Sequence, residues 1–246
     1  MATTASDVLH DLEVEYDRIE AILDSLTEMQ WISPSSAPGW TVADTVLHLA
    51  LTEEGVVATL ANPQAVWADR SAPLDDVIDD QVRSEVAPPA VVFERWRTAR
   101  RAAIAALAAA DPDTAVRWAA APLRPRTLAT TRLAEHWAHT LDITEPLELR
   151  YPDTDRLRHI AWLGHATLPY AMRLAGLDPA SVCCTLTAPS GSVYRYGPTD
   201  ADSTVTGEMG AFCRVGARRL TAGDSGLTAT GPAGDDTLRV LRNYAA

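Results

Sequence analysis

Glu135 and His139 stand four residues apart in Arg132-Leu133-Ala134-Glu135-His136-Trp137-Ala138-His139-Thr140-Leu141-Asp142. On a helix they project from one face, one turn apart. Arg132, three residues before Glu135, and Asp142, seven after it, extend the same polar stripe, while Leu133, Trp137 and Leu141 form an apolar one. Such a polar face is either solvated or lines an internal site. His136 points about 100° away from the stripe, which places it behind the site or at the surface. Arg132 has two readings, a pair with Glu135 or a contact for a substrate anion.

A second candidate, His48, lies in the apolar stretch Val46-Leu47-His48-Leu49-Ala50. A neutral imidazole there needs partners for both ring nitrogens. Either it is a core histidine satisfied by its neighbours, or a metal takes one nitrogen and a carboxylate such as Asp44, one turn back, holds the other. Were His48 to meet Glu135 and His139, the two His and one Glu would leave coordination positions open, as catalytic metal sites do. Zinc suits this donor set, and so do iron, nickel and manganese. Spacing alone does not bring the two segments together.

The elements that must position these residues read as follows. Leu9, Leu12, Tyr16, Ile19, Leu23 and Leu26 alternate by three and four, the core-facing stripe of a first helix. Ser, Pro and Gly cluster between Trp31 and Trp40. Thr41 with Asp44 predicts a capping box opening a second helix, to about Leu60, that carries His48. A loop over 63–73, a short helix near 74–85 and Pro88-Pro89 precede a third long helix over 90–110. A fourth, 127–147, carries the polar stripe. Four long helices with loops between them predict an antiparallel bundle. Beyond Pro152 a helix over 155–175, stopped by Gly176, is followed by strands near 181–187 and 192–196 joined through Pro189-Ser190-Gly191. Further strands are expected near 204–206 and 226–230, with helices near 209–220 and 235–244. The fold class is therefore α+β, a helical bundle over 1–152 followed by a small α+β domain over 153–246, the boundary falling between 145 and 178.

Composition narrows the function classes. All 21 basic side chains are arginine, against 33 acidic ones, for a net charge of -12. With so acidic a balance, neither nucleic acid nor an anionic membrane is an expected partner. Residues 1–11 lack the pattern of a signal peptide, no apolar run approaches membrane-spanning length, and the three cysteines (Cys183, Cys184, Cys213) are odd in number. A reduced cytoplasmic location fits, for a monomer or homodimer. Cys183 and Cys184 alternate faces in a strand and read as packing. No nucleophile elbow, phosphate loop or dinucleotide fingerprint occurs. Trp31, Trp40 and Trp137 read as core, with one available to wall a pocket.

The segment Pro38-Gly39-Trp40-Thr41-Val42-Ala43-Asp44-Thr45-Val46-Leu47-His48-Leu49-Ala50 resembles the Gly-Trp-Thr entry and His-Leu-Ala ligand motif of the mycothiol-dependent maleylpyruvate isomerase family, within the DinB-like metal-dependent bundle superfamily. Glu135 to Asp142 is similar to that family's Glu-x-x-x-His ligand helix, which closes with Asp. The likeness spans nearly the whole chain, and the tail resembles an actinobacterial branch of unproven function sometimes labelled wyosine base formation. The resemblance implies a DinB-like four-helix bundle whose His48, Glu135 and His139 bind one divalent metal, most simply zinc. It further implies open positions that accept a small thiol such as mycothiol, and isomerisation or S-transfer on an electrophilic small molecule. A family arginine in a Leu-x-Gly-Arg setting matches Arg218, in Arg214-Val215-Gly216-Ala217-Arg218-Arg219, with the glycine displaced by one residue. Arg218 is thus either a carboxylate-binding residue or a solvated surface arginine. Two other readings stand beside this one: a thiol-independent isomerase, cyclase or lyase on the same scaffold, and a non-enzymatic metal- or ligand-binding protein.

Overall fold

The computed structural model describes residues 5–62, 74–118 and 121–244. The loop expected over 63–73 lies outside them. The chain divides into two compact units, Met1–Tyr151 and Pro152–Ala245, and is of the α+β class.

In the first unit, α1 (Ala5–Asp24) buries Val8, Leu12, Tyr16, Ile19 and Leu23 almost completely. The stripe therefore starts at Val8, four residues before Leu12, and not at the half-buried Leu9; Leu26 falls beyond the helix end. A one-turn α2 (Glu28–Trp31), opened by a Thr27–Gln30 capping box, seats Trp31 against Phe93. The expected capping box at Thr41 and Asp44 opens α3 (Val42–Ala61). Fourteen of the 20 residues of α3 are buried, so the helix is enclosed on most of its circumference. It packs on α4 (Leu74–Ser84), α5 (Pro89–Ala109) and α6 (Pro125–Thr144). Both α5 and α6 begin with proline at the first helical position, where the missing N–H has no intrahelical partner to lose. That is why α6 starts two residues before the expected Thr127.

Arginines of α5 tie the bundle helices together. Arg95 holds Glu54 through Nε and Nη2 at 2.7 and 2.8 Å and Glu85 at 2.7 Å, linking α5 to α3 and to the residue after α4. Arg97 and Arg100 of α5 both reach Glu20 on α1, with Asp24 and Asp17 as further partners.

The second unit begins with α7 (Leu157–Leu174), stopped by Gly176 two residues past its end. With φ of +73°, that residue adopts the left-handed stop that favours glycine. β1 (Val182–Thr187) and β2 (Val193–Tyr196) form the expected antiparallel hairpin, and β3 (Ser203–Glu208) lies parallel to β1. α8 (Met209–Gly216), β4 (Thr228–Thr230) and α9 (Gly234–Val240) complete the unit, with sheet order β2-β1-β3-β4. Cys183, Cys184 and Cys213 are buried free thiols in its core. No described helix in either unit is long and apolar enough to cross a membrane.

Candidate metal centre

Packing of α3 against α6 brings His48, Glu135 and His139 together. His48 Nε2 lies 3.4 Å from Glu135 Oε2, and His139 Nε2 lies 3.5 Å from the same oxygen. One donor atom from each of the three residues falls within 4.8 Å of the others. Among the described residues this is the one cluster of three or more such groups able to hold an ion. The site grades from deep to shallow: side-chain exposure is 6% for His48, 16% for His139 and 30% for Glu135.

The donor chemistry fits a cation. Three ligand atoms about 2.1 Å from a common centre at tetrahedral angles stand about 3.4 Å apart, the separation seen here on two of the three edges. His139 Nδ1 donates to Asp142 Oδ2 at 2.9 Å. An ionised carboxylate only accepts, so this bond fixes the proton on Nδ1 and turns the lone pair of Nε2 toward Glu135. A lone pair facing a carboxylate oxygen is repulsive until a proton or a metal ion lies between them.

The electrostatics agree. Burial pushes His48 down to about 4, leaving it neutral and able to ligate near neutral pH. Burial also works against charging His139, yet hydrogen bonds to Asp142 and Glu135 outweigh it and raise that imidazole above its usual value. Burial alone would raise Glu135; the hydrogen bonds of His139 and His48 with it, and the positive charges of His139 and Arg132, hold it well below the usual carboxylate range.

Asp142 stands behind His139, bonded to its Nδ1. Asp44 is turned elsewhere. Its Oδ2 accepts from the Thr41 backbone N–H at 2.9 Å and from Thr41 Oγ1 at 2.7 Å, and it makes no bond to His48. A capping box turns the carboxylate back toward its own helix start, away from the next turn. Arg132 is also placed differently. It is 2% exposed and donates from Nε to Glu53 Oε1 at 2.7 Å and from Nη2 to Thr52 Oγ1 at 2.6 Å. Its ion-pair partner is Glu53, from α3, rather than Glu135. Glu53 is fully buried, and burial raises its carboxyl against the pull of Arg132. A carboxylate in so apolar a helix was the available signal, since it demands a partner.

His136 is neither at the surface nor behind the ligands. It is wholly buried, its Nε2 accepting from Trp96 Nε1 at 3.1 Å while Nδ1 donates to the Arg132 carbonyl at 3.0 Å. Tyr16 packs edge-on to it at 4.6 Å, and burial with the nearby Arg132 charge pushes it well below the usual histidine range. The polar stripe of α6 thus meets two partners: the candidate metal cluster at Glu135 and His139, backed by Asp142, and a buried polar core at Arg132. Arg218 belongs to the second unit, exposed just past α8 with φ of +62°.

Residues 12–144 match the family described as mycothiol maleylpyruvate isomerase N-terminal domain. Two uncharacterized proteins of Mycobacterium tuberculosis, from strains CDC 1551 and H37Rv, are each 31% identical over 242 residues, covering 96% of this chain and 94% of theirs. Among solved structures, a mycothiol-dependent maleylpyruvate isomerase shares the fold at a TM-score of 0.65 and 16% identity, over 94% of this chain and 96% of that one. A histidine-to-alanine mutant of such an isomerase gives 0.63 and 15%, with the same coverage.

Proposed function

The chain belongs to the mycothiol maleylpyruvate isomerase N-terminal domain family, and from that premise we propose that it is a metal-dependent enzyme which uses a small-molecule thiol, of the mycothiol type, on an electrophilic small molecule. The reaction is cis-trans isomerisation or S-transfer. The observation that carries this reading is the convergence of two imidazole nitrogens on one carboxylate oxygen, with Asp142 fixing the tautomer of the shallower histidine.

His48, Glu135 and His139 would hold one divalent ion, zinc by the donor set. When bound, the ion supplies a positive centre that favours the thiolate form of a coordinating thiol and can polarise a carbonyl. The residues of the chain divide the remaining work. Burial keeps His48 uncharged, so that its lone pair is available. Asp142 aims His139, and Glu135 stays ionised. Three protein ligands would leave a coordination position for a further group, and the partly exposed Glu135 marks where the cluster meets solvent. For isomerisation, the thiolate sulfur bonds to one carbon of a conjugated cis double bond as the π pair moves onto the carbonyl. Rotation about the resulting single bond follows, and return of that pair expels the thiolate from the trans product. In S-transfer the sulfur stays on the acceptor carbon and a leaving group departs with its bonding pair.

Elemental analysis of purified protein, beside His48→Ala and Glu135→Ala, tests the site, and thiol-dependent turnover of maleylpyruvate or consumption of mycothiol tests the reaction. About one metal per chain is expected in the wild type, with most lost in either variant. Metal content surviving both substitutions overturns the site. Metal-dependent turnover that ignores added thiol overturns the thiol step.

A further inference from the structure

Trp40 sits immediately before the N-cap of α3, and its indole lies against both candidate ligand rings. Its centroid is 5.2 Å from that of His48 and 6.3 Å from that of His139, the latter pair nearly parallel at 27°. The indole N–H donates to Asp79 Oδ1 at 2.8 Å, across to α4. The other oxygen of Asp79 accepts from Arg83 Nε at 2.6 Å. Arg83 in turn crowds the turn that carries Trp40: a Cβ on Gly39, whose φ is +80°, would come within 3.3 Å of its Nη2. Helix α4 therefore holds the Trp40 turn through the Asp79 bond, with Arg83 lying close over Gly39.

The two imidazoles differ in what orients them. His139 has Asp142. Among the described residues, His48 has a hydrogen-bond contact at Nε2 alone, to Glu135. No side chain or backbone group among the described residues is bonded to its Nδ1, so protein contacts set the plane of the ring by packing, and the rings against it are those of Trp40 and His139. An indole held by its N–H cannot rotate freely, and a ring that cannot rotate holds the ring beneath it.

We infer that Trp40 is a positioning residue for the metal site, and that α4 tunes metal affinity through the Trp40–Asp79 hydrogen bond. This rests on the reading that His48, Glu135 and His139 bind a metal. If docking of α4 favours the bound ion, the bound ion must favour docking of α4 by the same factor, because coupling of two equilibria is reciprocal.

The test is zinc affinity by chelator competition, with hydrogen exchange of residues 74–84 measured with and without zinc, in wild type, Trp40→Phe, Asp79→Ala and Asp79→Asn. Loss of one hydrogen bond in Trp40→Phe or Asp79→Ala should weaken zinc binding about three- to tenfold. Asp79→Asn keeps an oxygen for the indole while losing the Arg83 pair, and should hold zinc more tightly than Asp79→Ala, between that variant and the wild type; an Asn variant as weak as Ala would point to the Arg83 pair instead. Zinc should slow exchange in α4 of the wild type and leave it unchanged in Trp40→Phe. Equal affinity in all four proteins, or α4 exchange indifferent to zinc in the wild type, overturns the inference. A wild type that binds no zinc overturns the metal reading itself, whereas normal wild-type binding with undisturbed variants overturns the Trp40 role alone.

Discussion

Asp142→Asn and Asp142→Ala form a graded test of how the site is oriented. Asp142 is 2% exposed, and its bond to His139 Nδ1 is 2.9 Å long, so solvent does little to screen it. A hydrogen bond to a charged group contributes about 1.5–3 kcal/mol and a neutral one about 0.5–1.5 kcal/mol. The asparagine retains an oxygen at the same reach, so the difference is about 1–1.5 kcal/mol, or roughly five- to twelvefold in zinc affinity. Alanine removes the acceptor and should cost about 10–100-fold, the usual range for partners behind a metal-ligating histidine. The assay is competition with a zinc chelator at neutral pH, with stoichiometry from elemental analysis and thermal melts of the metal-free proteins as the folding control. Stoichiometry should stay near one while affinity falls in the order wild type, Asn, Ala. Wild-type affinity in the alanine variant would refute the orienting role.

Three further outcomes are expected. Glu53→Ala or Arg132→Ala, each stranding a buried charge, should destabilise by about 3–5 kcal/mol in denaturant titrations, whereas replacing both together with well-packed apolar residues should cost far less; equal costs for single and double replacement would contradict the pairing. The metal-free protein should lose stability as pH falls from about 6.5 to about 4, because unfolded His48 takes up a proton over that interval and buried His48 does not. Buried His136 acts in the same direction and His139 opposes it; urea midpoints that stay flat or rise across the interval would contradict this. Chelation of the metal should lower Tm without abolishing the far-ultraviolet helical signal, since a ligand of the native state at about 100 times its Kd contributes about 2.7 kcal/mol; an unchanged Tm would count against metal binding.

The local grammar of the chain was legible where one segment carries its own signal. Thr41 with Asp44 marks the start of α3, and Gly176 the end of α7, because caps and left-handed stops are built from adjacent residues. Glu135 and His139 share a face by spacing alone. What spacing does not convey is depth. His136 lies about 100° from the ligand face, and on a helix packed on more than one side that direction leads into the core beside Trp96 and Tyr16. The partner of Arg132 was hidden for another reason: Glu53 is 79 residues away, and the nearer acid at Glu135 is the one that periodicity offers. Asp44 illustrates the reverse error, in which a residue correctly placed in a cap was also given a second task that its geometry forbids. The meeting of His48 with the α6 pair rests on helix packing, which motif resemblance anticipated and periodicity did not.

The buried Arg132–Glu53 pair has a consequence for how the two central helices find each other. A slip of α6 along α3 by one turn, about 5.4 Å, would strand a guanidinium and a carboxylate in the interior without partners. The same slip would carry Glu135 and His139 away from His48. One ion pair, a turn below the cluster, thus works as a register key: it penalises the misaligned bundle and favours the alignment in which His48, Glu135 and His139 converge.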